Sequence, residues 1–316
     1  MRDRLLLAIV LLISVPQIAF PQNAAIPRVG LLGLSLEKHW KDAFASALRQ
    51  EGYGNVPIVD MGDLQAYSQL APAIQELLRA KVSVIVAYGT RAPAEAARAT
   101  KTIPVVIVGG DPVAMGLAKS HSKPGGNVTA ISARNADLYG KQVELLREFV
   151  PKMKRLAILL NPESAEEVKG FQILKRESGS LGIEARAIEV RKATDLDSAF
   201  AGSAQWRPDG LLMIPSTSFI AHRDRIAALA IKHGMPSVTR RGEYVRSGLL
   251  ASYGPNIAQL FSRAGAYTAR ILKGQPVGDL PVDQAEEFEL FVNEKTANSL
   301  GLKIPDRVRF RATIVQ

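Results

Sequence analysis

Short apolar runs alternate with amphipathic stretches along nearly the whole chain. Arg28–Leu32, Val56–Val59, Val82–Ala87 and Val105–Val108 read as strands. Unbroken apolar runs of this length belong to parallel strands buried on both faces. Between them the spacing predicts helices. One carries Trp40, Ala43, Phe44, Ala47 and Leu48 on a single face and stops at Gly52. Another carries Leu70, Ile74, Leu77 and Leu78, with Pro72 marking its start. A third, alanine-rich, runs from Arg91 to Thr100 behind a Thr90 N-cap, with Pro93 in its first turn. The run Pro104–Ser132 then holds two strands separated by breaks at Gly109-Gly110-Asp111-Pro112 and at Lys123-Pro124-Gly125-Gly126-Asn127.

Beyond Ser132 the alternation restarts. Helices are expected over 136–149, 164–181, 196–204, 219–233, 256–273 and 293–300. Strands are expected at Leu156–Leu160, Ile183–Val190, Gly210–Ile214, Pro236–Thr239, Leu249–Ser252 and Glu287–Val292. Strands alternating with helices mean βαβ units and parallel sheets. Two such series predict an α/β fold of two Rossmann-like lobes. The strand ends are rich in Gly, Pro, Ser, Thr, Asn and Asp, and in open α/β sheets ligands bind at the carboxyl ends of strands. Facing loops of this kind make a cleft.

At 316 residues, 47% apolar and 22% charged, the chain has ample core for two such lobes. The net charge of +10 and pI near 9.8 raise nucleic acid as a partner. The basic residues are spread out, however, and none interleaves with aromatics as a stacking platform requires. A nucleic-acid role is therefore not expected. The chain has no cysteine, which removes disulfides, thiolate metal sites, a cysteine nucleophile and a lipid anchor. Arg2 and Arg4 precede an eleven-residue apolar run, Leu5–Val15, too short to cross a bilayer and of signal-peptide length. Residues 1–25 are read as a leader for export to the periplasm.

The sequence contains no GxGxxG, GxxxxGK[ST], GxSxG or HExxH pattern. The four histidines, His39, His121, His222 and His233, lack metal-ligand spacing. No enzyme, cofactor or metal is expected. What remains is polar residues at strand ends: Ser35, Gly89, Thr90, Asp111, Asn161, Ser216, Arg240 and Tyr253 form the candidate ligand site. Asp111, behind two glycines and with no basic neighbour close in sequence, is a candidate for an ammonium group. Thr90, at a helix N-terminus, is a candidate for a carboxylate. The alternative is that Asp111 caps a helix starting near Pro112.

Four ordered blocks carry a resemblance: GTRAPAEAARATKTIPVVIVGGDPV, KPGGNVTAIS, SGLLASYGPN and ILKGQPVGDLPVDQAEEFELFVNEKTANSLGLKIP. Together they resemble the tryptophan/tyrosine-type substrate-binding proteins of bacterial ABC importers. The first loop, Gly33–His39, lacks the His-Pro pattern common in relatives that bind aromatic amino acids. The resemblance implies the type I periplasmic-binding-protein architecture: two lobes, three interlobe crossings and a small solute, an amino acid or a related compound, bound between them. It implies as partners a membrane permease and an ATPase. Carried onto this sequence, the crossings fall near 131–135, 248–252 and 276–282, which assigns 26–131 with 252–278 to lobe 1 and 132–251 with 279–316 to lobe 2. A monomer is expected, and a two-lobed sensor without a transport role is the alternative function.

Overall fold

The computed structural model describes residues 26–89 and 91–316. The expected leader and Thr90 lie outside the described residues. Among the described residues thirteen strands run in chain order: β1 Val29–Leu34, β2 Ile58–Leu64, β3 Val84–Tyr88, β4 Val105–Gly109, β5 Val128–Ser132, β6 Arg155–Leu160, β7 Glu184–Glu189, β8 Gly210–Met213, β9 Ser237–Thr239, β10 Ala251–Pro255, β11 Asp283–Gln284, β12 Phe288–Asn293 and β13 Thr313–Val315. The helices are α1 Lys38–Gln50, α2 Leu70–Arg79, α3 Arg91–Ala99, α4 Asn135–Phe149, α5 Ala165–Ser180, α6 Leu196–Gln205, α7 Thr217–Ile220, α8 Arg223–Lys232, α9 Gly242–Arg246, α10 Ile257–Leu272, α11 Glu294–Ser299 and α12 Asp306–Arg311.

They build two sheets, with orders β11-β5-β4-β3-β1-β2 and β13-β12-β10-β9-β8-β6-β7. The first is parallel throughout. In the second, β12 runs antiparallel to β10, Ala251 opposite Val292 and Pro255 opposite Phe288, and β13 follows β12. Each sheet is buried on both faces. In lobe 1, Val84, Val86 and Tyr88 face α1 and α10 while Ile85 and Ala87 face α2 and α3. This two-sided burial is what the unbroken apolar runs require.

Several boundaries differ from expectation. β2 begins at Ile58 and runs to Leu64, past the expected Val56–Val59. It is an edge strand, half exposed, and its polar Asp60, Gly62 and Asp63 disguise it. The helix expected over 219–233 is two, α7 and α8, parted at Ala221-His222. Residues after Asp111 form hydrogen-bonded turns rather than a helix, with Met115 N–H on the Asp111 carbonyl. Two crossings also move. β10 is hydrogen-bonded into the second sheet as far as Pro255, so the passage expected at 248–252 falls between Pro255 and Ile257. The two-residue β11 pairs with β5 in the first sheet, so the passage expected at 276–282 falls at 285–287. Short edge strands carry too little pattern to be read. Residues 133–134 join β5 to α4.

Candidate functional site

Both sheets point the carboxyl ends of their parallel strands at one cleft. In lobe 1, Gly89 follows the end of β3 and Gly109 ends β4, at φ +89° and +87°. Only glycine takes this left-handed conformation at no steric cost, and it turns the chain sharply beside the cavity. From lobe 2, β6, β8 and β9 deliver Asn161, Ser216 and Arg240. Gly254 on β10 allows the backbone of Arg240 to come close: a Cβ there would overlap the Arg240 carbonyl oxygen.

The cavity has two parts. The inner pocket is walled by Tyr67, Tyr88 and Gly89 from lobe 1 and by Glu167, Ser216 and Arg240 from lobe 2. An outer chamber continues from it past Arg134, Asp137 and Asn161 to Asp111 and His121. Three helix N-termini reach the inner pocket through Arg91 of α3, Asn135 of α4 and Ser164, the N-cap of α5. Helix N-termini present N–H groups and partial positive charge to an anion.

The electrostatics of the inner pocket divide between arginines and one buried acid. Arg91 is paired with Glu95 at 2.8 Å and stacks 4.4 Å above the Tyr67 ring. Arg241 is paired with Glu243 at 2.7 Å. Arg240 is in no ion pair among the described residues; its hydrogen-bond partner is the Tyr139 hydroxyl. Glu167 takes a hydrogen bond from the Asn161 N–H at 2.7 Å and others from Ser216 and Ser164. Burial nonetheless pushes its carboxyl above the usual range, those hydrogen bonds and the Arg240 charge opposing it. Across the cleft, burial and then the Glu167 charge push the Tyr67 phenol up to about 12.

Of the expected site residues, Gly89, Ser216 and Arg240 meet in the inner pocket, and Asp111 and Asn161 line the outer chamber. The Asp111 Oδ1 already accepts from the Val113 and Ala114 N–H groups at 2.9 and 3.2 Å and lies 3.0 Å from His121 Nε2. His121, ten residues on, is the basic neighbour that short sequence separation does not reveal. Ser35 lies outside both parts of the cavity: its N–H bonds the Leu64 carbonyl, and Leu34 supplies the wall. Tyr253 is also outside, stacked 5.9 Å from Phe288, its carbonyl accepting from Gln142. Sequence reasoning missed Tyr67, Arg91, Asn135, Glu167 and Arg241. Glu167 had a signal, since Ser164-x-x-Glu167 reads as a capping box. Tyr67 sits in a short 3-10 turn, Tyr67–Gln69, which carries none.

Two α/β lobes with a cleft at facing strand ends define a type I periplasmic-binding-protein architecture. The chain belongs to the ABC transporter substrate-binding protein family, which it matches over residues 35–316. It is similar to a tyrosine-binding protein of Clostridioides difficile (strain R20291), 27% identical over 274 residues, 85% of this chain and 78% of that one. Its fold resembles a conserved domain protein of Vibrio cholerae O1 biovar El Tor, with TM-score 0.84, 25% identity and coverage of 92% of this chain and all of the other. It also resembles the ABC domain of a Streptococcus pneumoniae protein in complex with L-Trp, with TM-score 0.84, 23% identity and coverage of 92% and 100%. The family is one of binding proteins, not enzymes. Among the described residues no helix is long and apolar enough to cross a membrane.

Proposed function

We propose that this protein is the periplasmic receptor of an amino-acid importer, exported by residues 1–25 and released as an unanchored monomer. It closes on one amino acid and hands it to the permease and ATPase of its transporter, without chemistry of its own. The observation that carries the reading is Arg240, a guanidinium on the wall of the inner pocket with no carboxylate partner among the described residues. A solute carboxylate fits there, shared with Ser216 and the helix N-terminus after Gly89. Glu167 faces the same space and suits the ammonium group. Tyr67 and Tyr88 bring aromatic rings to the pocket wall, as the side chain of a tyrosine or tryptophan would need. The tyrosine-binding relative and the L-Trp complex support that class.

Closure follows from contacts that a solute makes to both lobes at once. Lobe 1 supplies the tyrosines and Gly89, and lobe 2 supplies Arg240, Ser216 and Glu167. A thermal-shift screen against the amino acids tests this. A true solute at 100 times its dissociation constant stabilises the fold by about 2.7 kcal/mol. A screen in which organic acids or sugars raise the melting temperature and no amino acid does would overturn the reading. For export, sequencing the N-terminus of the secreted protein should find it between Ala19 and Ile26.

A further inference from the structure

We propose that Arg241, on the floor of the inner pocket, is a latch between the lobes, a positioning residue that holds the closed form together through protein contacts of its own. The inference rests on the reading that solute binds between the lobes. Arg241 belongs to lobe 2, at the entry to α9, where its guanidinium bonds the Glu243 carboxylate at 2.7 and 3.2 Å. Both side chains are more than nine-tenths buried. The aromatic rings over the guanidinium come from lobe 1: its carbon lies 5.3 Å from the Trp40 ring centre and 5.7 Å from that of Tyr88. Trp40 is on α1 and Tyr88 ends β3, and both pack on Phe261 of α10, at 6.0 and 5.7 Å.

The surrounding chemistry makes this contact sensitive to the lobe angle. A desolvated guanidinium over an aromatic face is attracted by the ring quadrupole, and the attraction is significant within about 6 Å of the centroid. Both distances are near that limit, so a small opening breaks the contact and lets water reach the ion pair and the ring faces. The latch also lies next to a crossing. Arg240 is held against Gly254 of β10, and Phe261 follows the Pro255–Ile257 passage by one helical turn. Rotation there acts directly on the guanidinium–aromatic contact. Every partner is a protein group, so the latch stabilises closure with or without solute. It thereby raises the fraction of the binding-competent form, and apparent affinity scales with that fraction.

The protein carries its own reporter, since Trp40 and Trp206 are its two tryptophans. Trp206→Phe leaves Trp40 alone to be read. In that background the latch is removed by Arg241→Met with Glu243→Leu, which takes away both charges together. A buried pair replaced by apolar groups of similar volume is often neutral for stability. The latch predicts, in ligand-free protein at an unchanged melting temperature, a larger radius of gyration by small-angle scattering. It also predicts a Trp40 more readily quenched by acrylamide. With L-tyrosine as the probe, affinity should fall about tenfold. An unchanged radius and unchanged quenching would overturn the latch. Failure of L-tyrosine to bind the parent protein would count against the amino-acid reading instead, and the ligand-free measurements would still decide the latch. Should the double variant not fold, Arg241→Lys keeps the charge opposite Glu243 but loses the planar face. It should open the particle part-way, and a radius equal to the parent's would again overturn the proposal.

Discussion

Arg240 opens into the inner pocket beside a tyrosine hydroxyl, whereas Arg241, one residue on, is buried against Glu243 and two aromatic rings. Extended backbone, at φ −121° and ψ 121° for Arg241, sends adjacent side chains to opposite sides. The pocket wall and the interlobe floor therefore come from the same two-residue step. Their carboxylates differ likewise. Burial would raise Glu243, but the charge of Arg241 and its hydrogen bonds overcome this and hold the carboxyl below the usual range. Glu167 has hydrogen bonds but no ion-pair partner among the described residues, so burial prevails and it is raised. A charge matched within the fold is structural; a pocket group outside any ion pair of the fold is suited to a ligand.

The largest effect expected from this contrast is on stability. Glu243→Ala leaves the Arg241 guanidinium buried without its partner and should cost about 3–5 kcal/mol in chemical denaturation. Arg240→Ala should leave the denaturation midpoint nearly unchanged and weaken solute binding about ten- to a hundredfold, the worth of a charged hydrogen bond of about 1.5–3 kcal/mol. Equal stability losses in the two variants would erase the distinction between floor and wall.

Asp111 sharpens it at the rim. Its carboxylate already serves two backbone N–H groups and His121, so Asp111→Ala should cost about 1 kcal/mol of stability, the value of a lost cap. Affinity measured by calorimetry should stay within about threefold. A hundredfold loss would instead give Asp111 the ammonium role.

The smallest effect is in pH dependence. Glu243, with its folded pKa depressed, contributes stability that is present above its unfolded value of 4.5 and lost as pH falls through the folded one. Glu167, with its folded pKa raised, does the opposite: its contribution is present below 4.5 and lost as pH rises through the folded value. Between pH 4 and 7 the Glu167→Gln variant should therefore gain in melting temperature relative to the parent. A constant difference across that range would mean that Glu167 titrates normally.

Much of this was legible from the chain itself. The unbroken runs Val105–Val108 and Leu156–Leu160 read as strands covered on both sides, and both are fully interior. Gly89, Ser216 and Arg240 follow strand ends, and the topology alone brings them into one pocket. Tyr67 and Arg241 were illegible for a different reason. Each acquires its place from the opposite lobe, Tyr67 facing Glu167 and Arg241 lying on Trp40, and no local pattern records a partner some hundred to two hundred residues away. β11 and β13 were missed because two or three residues on a sheet edge show no periodicity.

Whether Arg240 receives the carboxylate of an amino-acid solute is decided by calorimetric titration of L-tyrosine into the parent protein and into Arg240→Ala. Saturable one-to-one binding by the parent and a loss of about ten- to a hundredfold in the variant are expected, at equal melting temperatures. Binding of equal strength in both proteins would contradict it.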